Sequence, residues 1–130
     1  ALAYAYIRLS RWSKALNLLR KVEFTDAEDT RLWRPMAWVL FALGDYESAR
    51  KYWQRINTEN LTTEDHLNIG HLEAATSNIR EALTHYRLAQ PDDNTEALIR
   101  RLEADGDILR SAGITPVKMT LIEEALRSSQ

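Results

Sequence analysis

The chain has 130 residues, the length of one domain of ordinary size. An apolar share of 45% argues against disorder, and 17 Lys and Arg against 19 Asp and Glu leave a formal charge of -2, without the basic surplus that a sequence-independent grip on nucleic acid needs. The absence of cysteine excludes a disulfide framework, a thiol nucleophile and cysteine-ligated zinc.

Four Gly and three Pro give too little punctuation for an all-β chain of many turns. The longest apolar run, Met36 to Leu43, is eight residues, whereas a membrane-spanning helix needs about 20, so no membrane partner is expected. The plain composition suits a bacterial cytoplasmic protein. The chain opens ALAYAYIRLSRW, with neither an initiator Met nor a basic-then-apolar leader. It begins inside a helical pattern without a cap, as a piece of a longer repeat protein would. No linker-like stretch marks an internal boundary.

Three segments align without gaps: Ser10–Val22, Gly44–Ile56 and Ser77–Ala89. Each carries a large apolar residue third (Trp12, Tyr46, Ile79), an alanine sixth (Ala15, Ala49, Ala82), a large residue tenth (Leu19, Trp53, Tyr86) and an apolar residue last. These offsets trace one face of a helix. The stretch before each segment repeats as well: Leu2-Ala3, Met36-Ala37 and Ile69-Gly70 hold the same distances. Small residues at fixed places let paired helices approach closely while bulky neighbours fill the grooves. The alanines recur after 34 and then 33 residues, the stride of a stacked array with two helices per unit.

Local signals supply the helix ends. Thr25 with Glu28, and Asn78 with Glu81, have capping-box spacing; Asp45 precedes the second helix of the central unit; Thr62 or Thr63 can cap the next. A helix starting near Thr30 leaves Pro35 just past the first turn, where a small kink is expected. After Pro91 the pattern changes. Asp93 or Asn94 caps a helix carrying Leu98, Ile99 and Leu102, Asp105-Gly106 breaks it, and Ile108-Leu109 begins a short piece. Gly113 suits a helix C-cap, and Thr115-Pro116 opens a last helix with Met119, Leu121, Ile122, Ala125 and Leu126. No alanine falls at the repeat distance in this tail.

The stretch Trp33–Trp53, WRPMAWVLFALGDYESARKYW, closely resembles a tetratricopeptide repeat (TPR). Trp33, Ala37, the Gly44-Asp45-Tyr46 turn, Ala49 and Trp53 match the family pattern. The following unit keeps Gly70, Ala82, Tyr86 and Ala89. The resemblance covers about residues 1–91. It implies an all-α fold: a right-handed α-α superhelix of stacked antiparallel helix pairs, with three units in 1–91 and a degenerate C-terminal helical capping unit in 92–130. It also implies a non-enzymatic scaffold that binds a peptide or protein segment on its concave face.

Catalysis has no visible constellation. His66 and His71 are five apart, about 140° around a helix, and His85 lies on another helix, so no metal site or cofactor is expected. There is no nucleophile elbow and no phosphate-binding glycine loop. Glu64-Asp65 and Glu123-Glu124 are adjacent pairs that diverge on a helix and read as solvated faces. Trp12, Trp33 and Trp53 occupy core positions. Trp38 lies one residue past the small Ala37, on the side that the resemblance turns toward the inner surface. The same register brings Tyr4, Ile7 and Arg8, then Arg34, Trp38 and Phe41 with Arg31 nearby, then Leu67, Asn68, His71 and Ala74 to that surface. Aromatic anchors with arginines are the common makers of binding hot spots. Some TPR domains clamp a C-terminal carboxylate; Arg34 and Asn68 match clamp places, whereas Trp38 and Leu67 depart from it. The apolar surface of residues 1–11 offers a second route, a homodimer through the N-terminal end.

Overall fold

The computed structural model describes residues 2–128. All regular structure among them is helical: α1 (Leu2–Arg8), α2 (Trp12–Thr25), α3 (Trp33–Ala42), α4 (Tyr46–Gln54), α5 (Thr63–Ala75), α6 (Ile79–Leu88), α7 (Thr95–Ala104), α8 (Gly106–Ser111) and α9 (Pro116–Ser128). The chain divides into two compact units, Ala1–Thr58 and Glu59–Gln130. The boundary falls inside the stretch expected to hold three repeat units, because α5 and α6 share their core with the tail.

The first unit is built from two helix pairs. α1 packs on α2, α3 on α4, and α2 lies against α3. Ala15 and Ala49 are completely buried, as are Met36, Ala37 and Val39 on α3, so the small repeat positions do sit at helix contacts. Trp53 is buried, while Trp12 and Trp33 are only half-buried. In the second unit α5 packs on α6, α9 lies against α6 and α7, and α7 meets α8. Its core joins Leu67, Ala74, Ala82 and Tyr86 to Leu98, Leu102, Leu109, Ile114, Ile122 and Leu126.

One local device recurs four times. At the end of α1 the amide of Arg11 donates to the Tyr6 carbonyl (2.8 Å) and that of Ser10 to Ile7 (2.9 Å). Asp45 to Leu40 with Gly44 to Phe41, Asn78 to Glu73 with Ser77 to Ala74, and Ile114 to Leu109 with Gly113 to Arg110 repeat the arrangement. Each is a Schellman cap, in which two nested bonds satisfy the last carbonyls and one residue turns left-handed. Those residues are Ser10, Gly44, Ser77 and Gly113, with φ of 56°, 86°, 67° and 84°. They are 34, 33 and 36 residues apart. The tail therefore carries the same helix–turn–helix punctuation as the three aligned units, lengthened by a few residues.

Serine is the costlier occupant, because a Cβ in the left-handed region meets the carbonyl. Replacing Ser77 by Gly should stabilise the second unit by about 0.5–1 kcal/mol, read as a rise in the urea midpoint at unchanged slope. A fall in the midpoint would show that the turn is not strained.

Several ends follow the sequence signals. Asp45 accepts from the Ser48 amide, Asn94 from Ala97, and Thr115 from Lys118. Thr62 and Asp65 form a reciprocal capping box at 3.1 and 2.9 Å. α7 ends at Ala104 and α8 starts at Gly106. Two expected capping boxes are corrected. Thr25 is the last residue of α2, where its hydroxyl donates back to Val22. Asn78 makes no side-chain cap; its side-chain NH2 donates back to the Glu73 carboxylate. Pro35 is also better placed than expected. A 3-10 turn over Thr30–Leu32 precedes α3, so Pro35 lies in the first turn of the α-helix, where its missing N–H removes no i→i−4 bond.

Candidate binding surface

On α1, Tyr4 and Arg8 are exposed; on α3, Arg34 is exposed and Trp38 half-exposed. Tyr4 and Trp38 are 34 residues apart and hold the same register position, so the two helices present an aromatic ring at the same place. Trp38 stacks on Phe41 with ring centroids 5.6 Å apart and planes at 23°. Phe41 is in turn tilted against Tyr46 at 5.6 Å. Phe41 is buried; it belongs to the support beneath Trp38, not to the surface where the sequence reading put it. Arg31 is exposed and carries its own counter-ion. Its Nε and Nη2 donate to the Asp29 carboxylate at 2.9 and 2.7 Å, and that pairing holds Asp29 below the usual carboxylate range.

The second unit treats the same face differently. Leu67, His71 and Ala74 were expected to line an open surface. All three are buried, with His71 at 0% exposure, and Leu67 and Ala74 belong to the core shared with the tail. His71 holds the register position of Trp38, but Asp105, at the α7–α8 junction, covers it. The face is thus occupied by the chain itself, and His71 is removed from the candidate surface. Asn68 remains half-buried beside it.

What covers His71 is a polar chain. Its Nδ1 lies 2.8 Å from the Tyr86 hydroxyl, and its Nε2 2.9 Å from Asp105 Oδ2. Asp105 is 3.6 Å from Arg101 Nε, and Arg101 reaches the Glu64 carboxylate at 2.5 and 3.0 Å. Burial lowers the His71 pKa, against a smaller opposing pull from Asp105. Burial alone would raise Asp105, but the bond from His71 and the charge of Arg101 hold it below its ordinary value. The arrangement that satisfies every atom is a neutral imidazole: Nε2–H donates to Asp105, and Nδ1 accepts from the Tyr86 hydroxyl. Burial pushes the Tyr86 phenol well above its ordinary value, so it stays a donor. A histidine between a carboxylate and a hydroxyl resembles catalytic geometry, but here both His71 and Tyr86 are fully buried.

The other titratable groups also depart from the sequence reading. Asp65 is buried inside its capping box, so only half of that acidic pair is a solvated face: Glu64 is exposed and pairs with Arg101. Glu123 is half-buried, and burial followed by the nearby Glu103 raises its pKa. In the first unit the Tyr52 hydroxyl donates to Glu23, and the Arg55 guanidinium lies 4.5 Å over the Tyr52 ring. Burial and Glu23 push the Tyr52 phenol up to about 12. Sequence reasoning missed one meeting: His66 Nδ1 and His85 Nδ1 are 3.0 Å apart, with rings stacked at 5.2 Å. Residue spacing alone held no signal for it, because the two rings lie on different helices, α5 and α6.

Among the described residues no helix is long and apolar enough to cross a membrane, and no group of three or more His, Cys, Asp or Glu could hold a metal ion. Comparison with protein-family models, with curated proteins and with solved structures finds no match.

Proposed function

We propose that the chain is a TPR-like helical array acting as a non-enzymatic scaffold, and that it binds a protein segment on the surface carried by α1 and α3. The observation that supports the array is the fourfold Schellman turn at Ser10, Gly44, Ser77 and Gly113. A local device repeated at near-constant stride is what a solenoid of helix pairs requires. The binding surface reduces to Tyr4, Arg8, Arg34 and Trp38, since His71 and Phe41 are buried, Arg31 is paired with Asp29, and Asn68 lies half-buried in the second unit beside the covered His71. Trp38 is the anchor. It is large, half-exposed and held in orientation by the Phe41 ring beneath it, the character of a hot-spot aromatic.

Trp38→Ala should reduce partner recovery in a pull-down by about 10-fold or more, the effect of losing a hot spot of at least about 1.4 kcal/mol. Circular dichroism should show the helical content retained. Unchanged recovery with Trp38→Ala would remove the anchor from the reading.

Self-association through the first helix pair is a second reading. It is favoured by apolar exposure concentrated there: Leu2 at 57%, Leu9 at 67% and Phe24 at 92%. Light scattering on the purified chain separates the two. A dimer that reverts when Leu2 and Tyr6 are made polar supports self-association, and a monomer at high concentration removes it.

A further inference from the structure

We propose that His66 on α5 and His85 on α6 form a two-imidazole chelate for a borderline divalent transition cation of the Cu(II) or Ni(II) type. The two Nδ1 atoms are 3.0 Å apart. Ligand nitrogens bind such metals at about 2.0–2.1 Å, so the observed span corresponds to a cis angle of about 91–97° at the metal. That is near the right angle of tetragonal coordination and tighter than a tetrahedral site. Both lone pairs must turn toward one point for this, and the broad χ2 torsion of histidine permits such a turn.

Other features favour a cation here. Both rings are half-buried, so they are held in place yet open to solvent. The charges acting on His85 include Glu73 on α5 and Glu81 one turn earlier on α6, both negative. The chain has three histidines and no cysteine, and His71 has both ring nitrogens engaged and no exposed surface. His66 and His85 are therefore the imidazole donors a metal can reach. With no third ligand residue in the group, water fills the remaining positions.

The proton balance is simple. In the neutral pair one Nδ1–H donates to the other Nδ1 lone pair. A metal needs both lone pairs, so the donor ring moves its proton to Nε2 through solvent, with no net release. Where the pair carries an extra proton, binding releases it.

The test titrates the full chain with Cu(II) at neutral pH and follows binding by calorimetry and electron paramagnetic resonance. One cation should bind per chain, with hyperfine splitting from two imidazole nitrogens. His66→Gln and His85→Gln should each weaken binding by at least about 10-fold, the lower end of what losing even an outer-shell partner costs. Because the cation would tie α5 to α6, it should also raise the unfolding temperature, and a chelator should reverse the rise. No saturable binding, a one-nitrogen spectrum, or an affinity in either variant unchanged from that of the unsubstituted chain would overturn the assignment. The spectrum of the unsubstituted chain decides the matter even if a variant fails to fold.

Discussion

Gly70→Ala should be among the most damaging single-methyl changes in this chain, lowering the stability of the second unit by about 3 kcal/mol. A Cβ built on Gly70 comes within 2.6 Å of both Cδ1 and Cε1 of Tyr86. The ring cannot step aside. It is completely buried, packed in the core that joins α5 and α6 to the tail, and fixed at its hydroxyl by His71. The new methyl must therefore push two helices apart or break the polar chain at its tyrosine end. A double-mutant cycle with Tyr86→Leu identifies the cause. If the clash with the ring is the mechanism, the double variant should cost less than the sum of its two single substitutions. All four tryptophans lie in the first unit, so fluorescence follows the first unit while circular dichroism follows both, and a dichroism change without a fluorescence change reports the second. A loss below about 0.5 kcal/mol, typical of harmless surface changes, would mean that the backbone relaxes freely at Gly70.

The same position shows what was legible in the sequence. The alternation of small and large residues gave the helix pairs, because a helical face is a period that side chains must obey wherever it is buried. Asp45, Asn94 and Thr115 were readable as caps because a cap depends only on neighbours a few residues away. The candidate surface was legible by half. Tyr4 and Trp38 hold their register and stay at least partly exposed. His71 holds the same register and is buried, because a segment more than thirty residues later in the chain, around Asp105, packs over it. Nothing local to His71 encodes that event. At Asn78 the side-chain NH2 donates back to Glu73 and no cap bond forms, and spacing rules do not see how a side chain is oriented by such a partner. The Schellman turns at Ser10 and Ser77 were hidden because serine there gives no glycine signal.

Acid should destabilise the second unit from about pH 6.5 downward. The sign comes from His71. Burial lowers its pKa below the ordinary imidazole value of 6.5. Below that value the unfolded chain takes up a proton that the folded chain refuses, so unfolding becomes more favourable as pH falls. If protonation in the fold stays negligible, the loss between pH 7 and pH 5.5 is about 1 kcal/mol from His71 alone. His85 adds to it with the same sign, since burial and then His66 lower its pKa too, though solvent access makes its share smaller. Urea unfolding at pH 7 and 5.5, read by circular dichroism, measures the difference. His71→Gln should flatten the dependence while lowering overall stability, because a neutral amide cannot titrate. The nitrogen chemical shifts of His71 give an independent reading that does not require the variant to fold. They should show a neutral ring with its proton on Nε2. The opposite outcome has a definite physical meaning. If stability rose as pH fell through 6.5, His71 would be charged in the fold and paired with Asp105 as an ion pair. Its Nδ1 would then donate to the Tyr86 hydroxyl, reversing that one hydrogen bond while Nε2–H went on donating to Asp105.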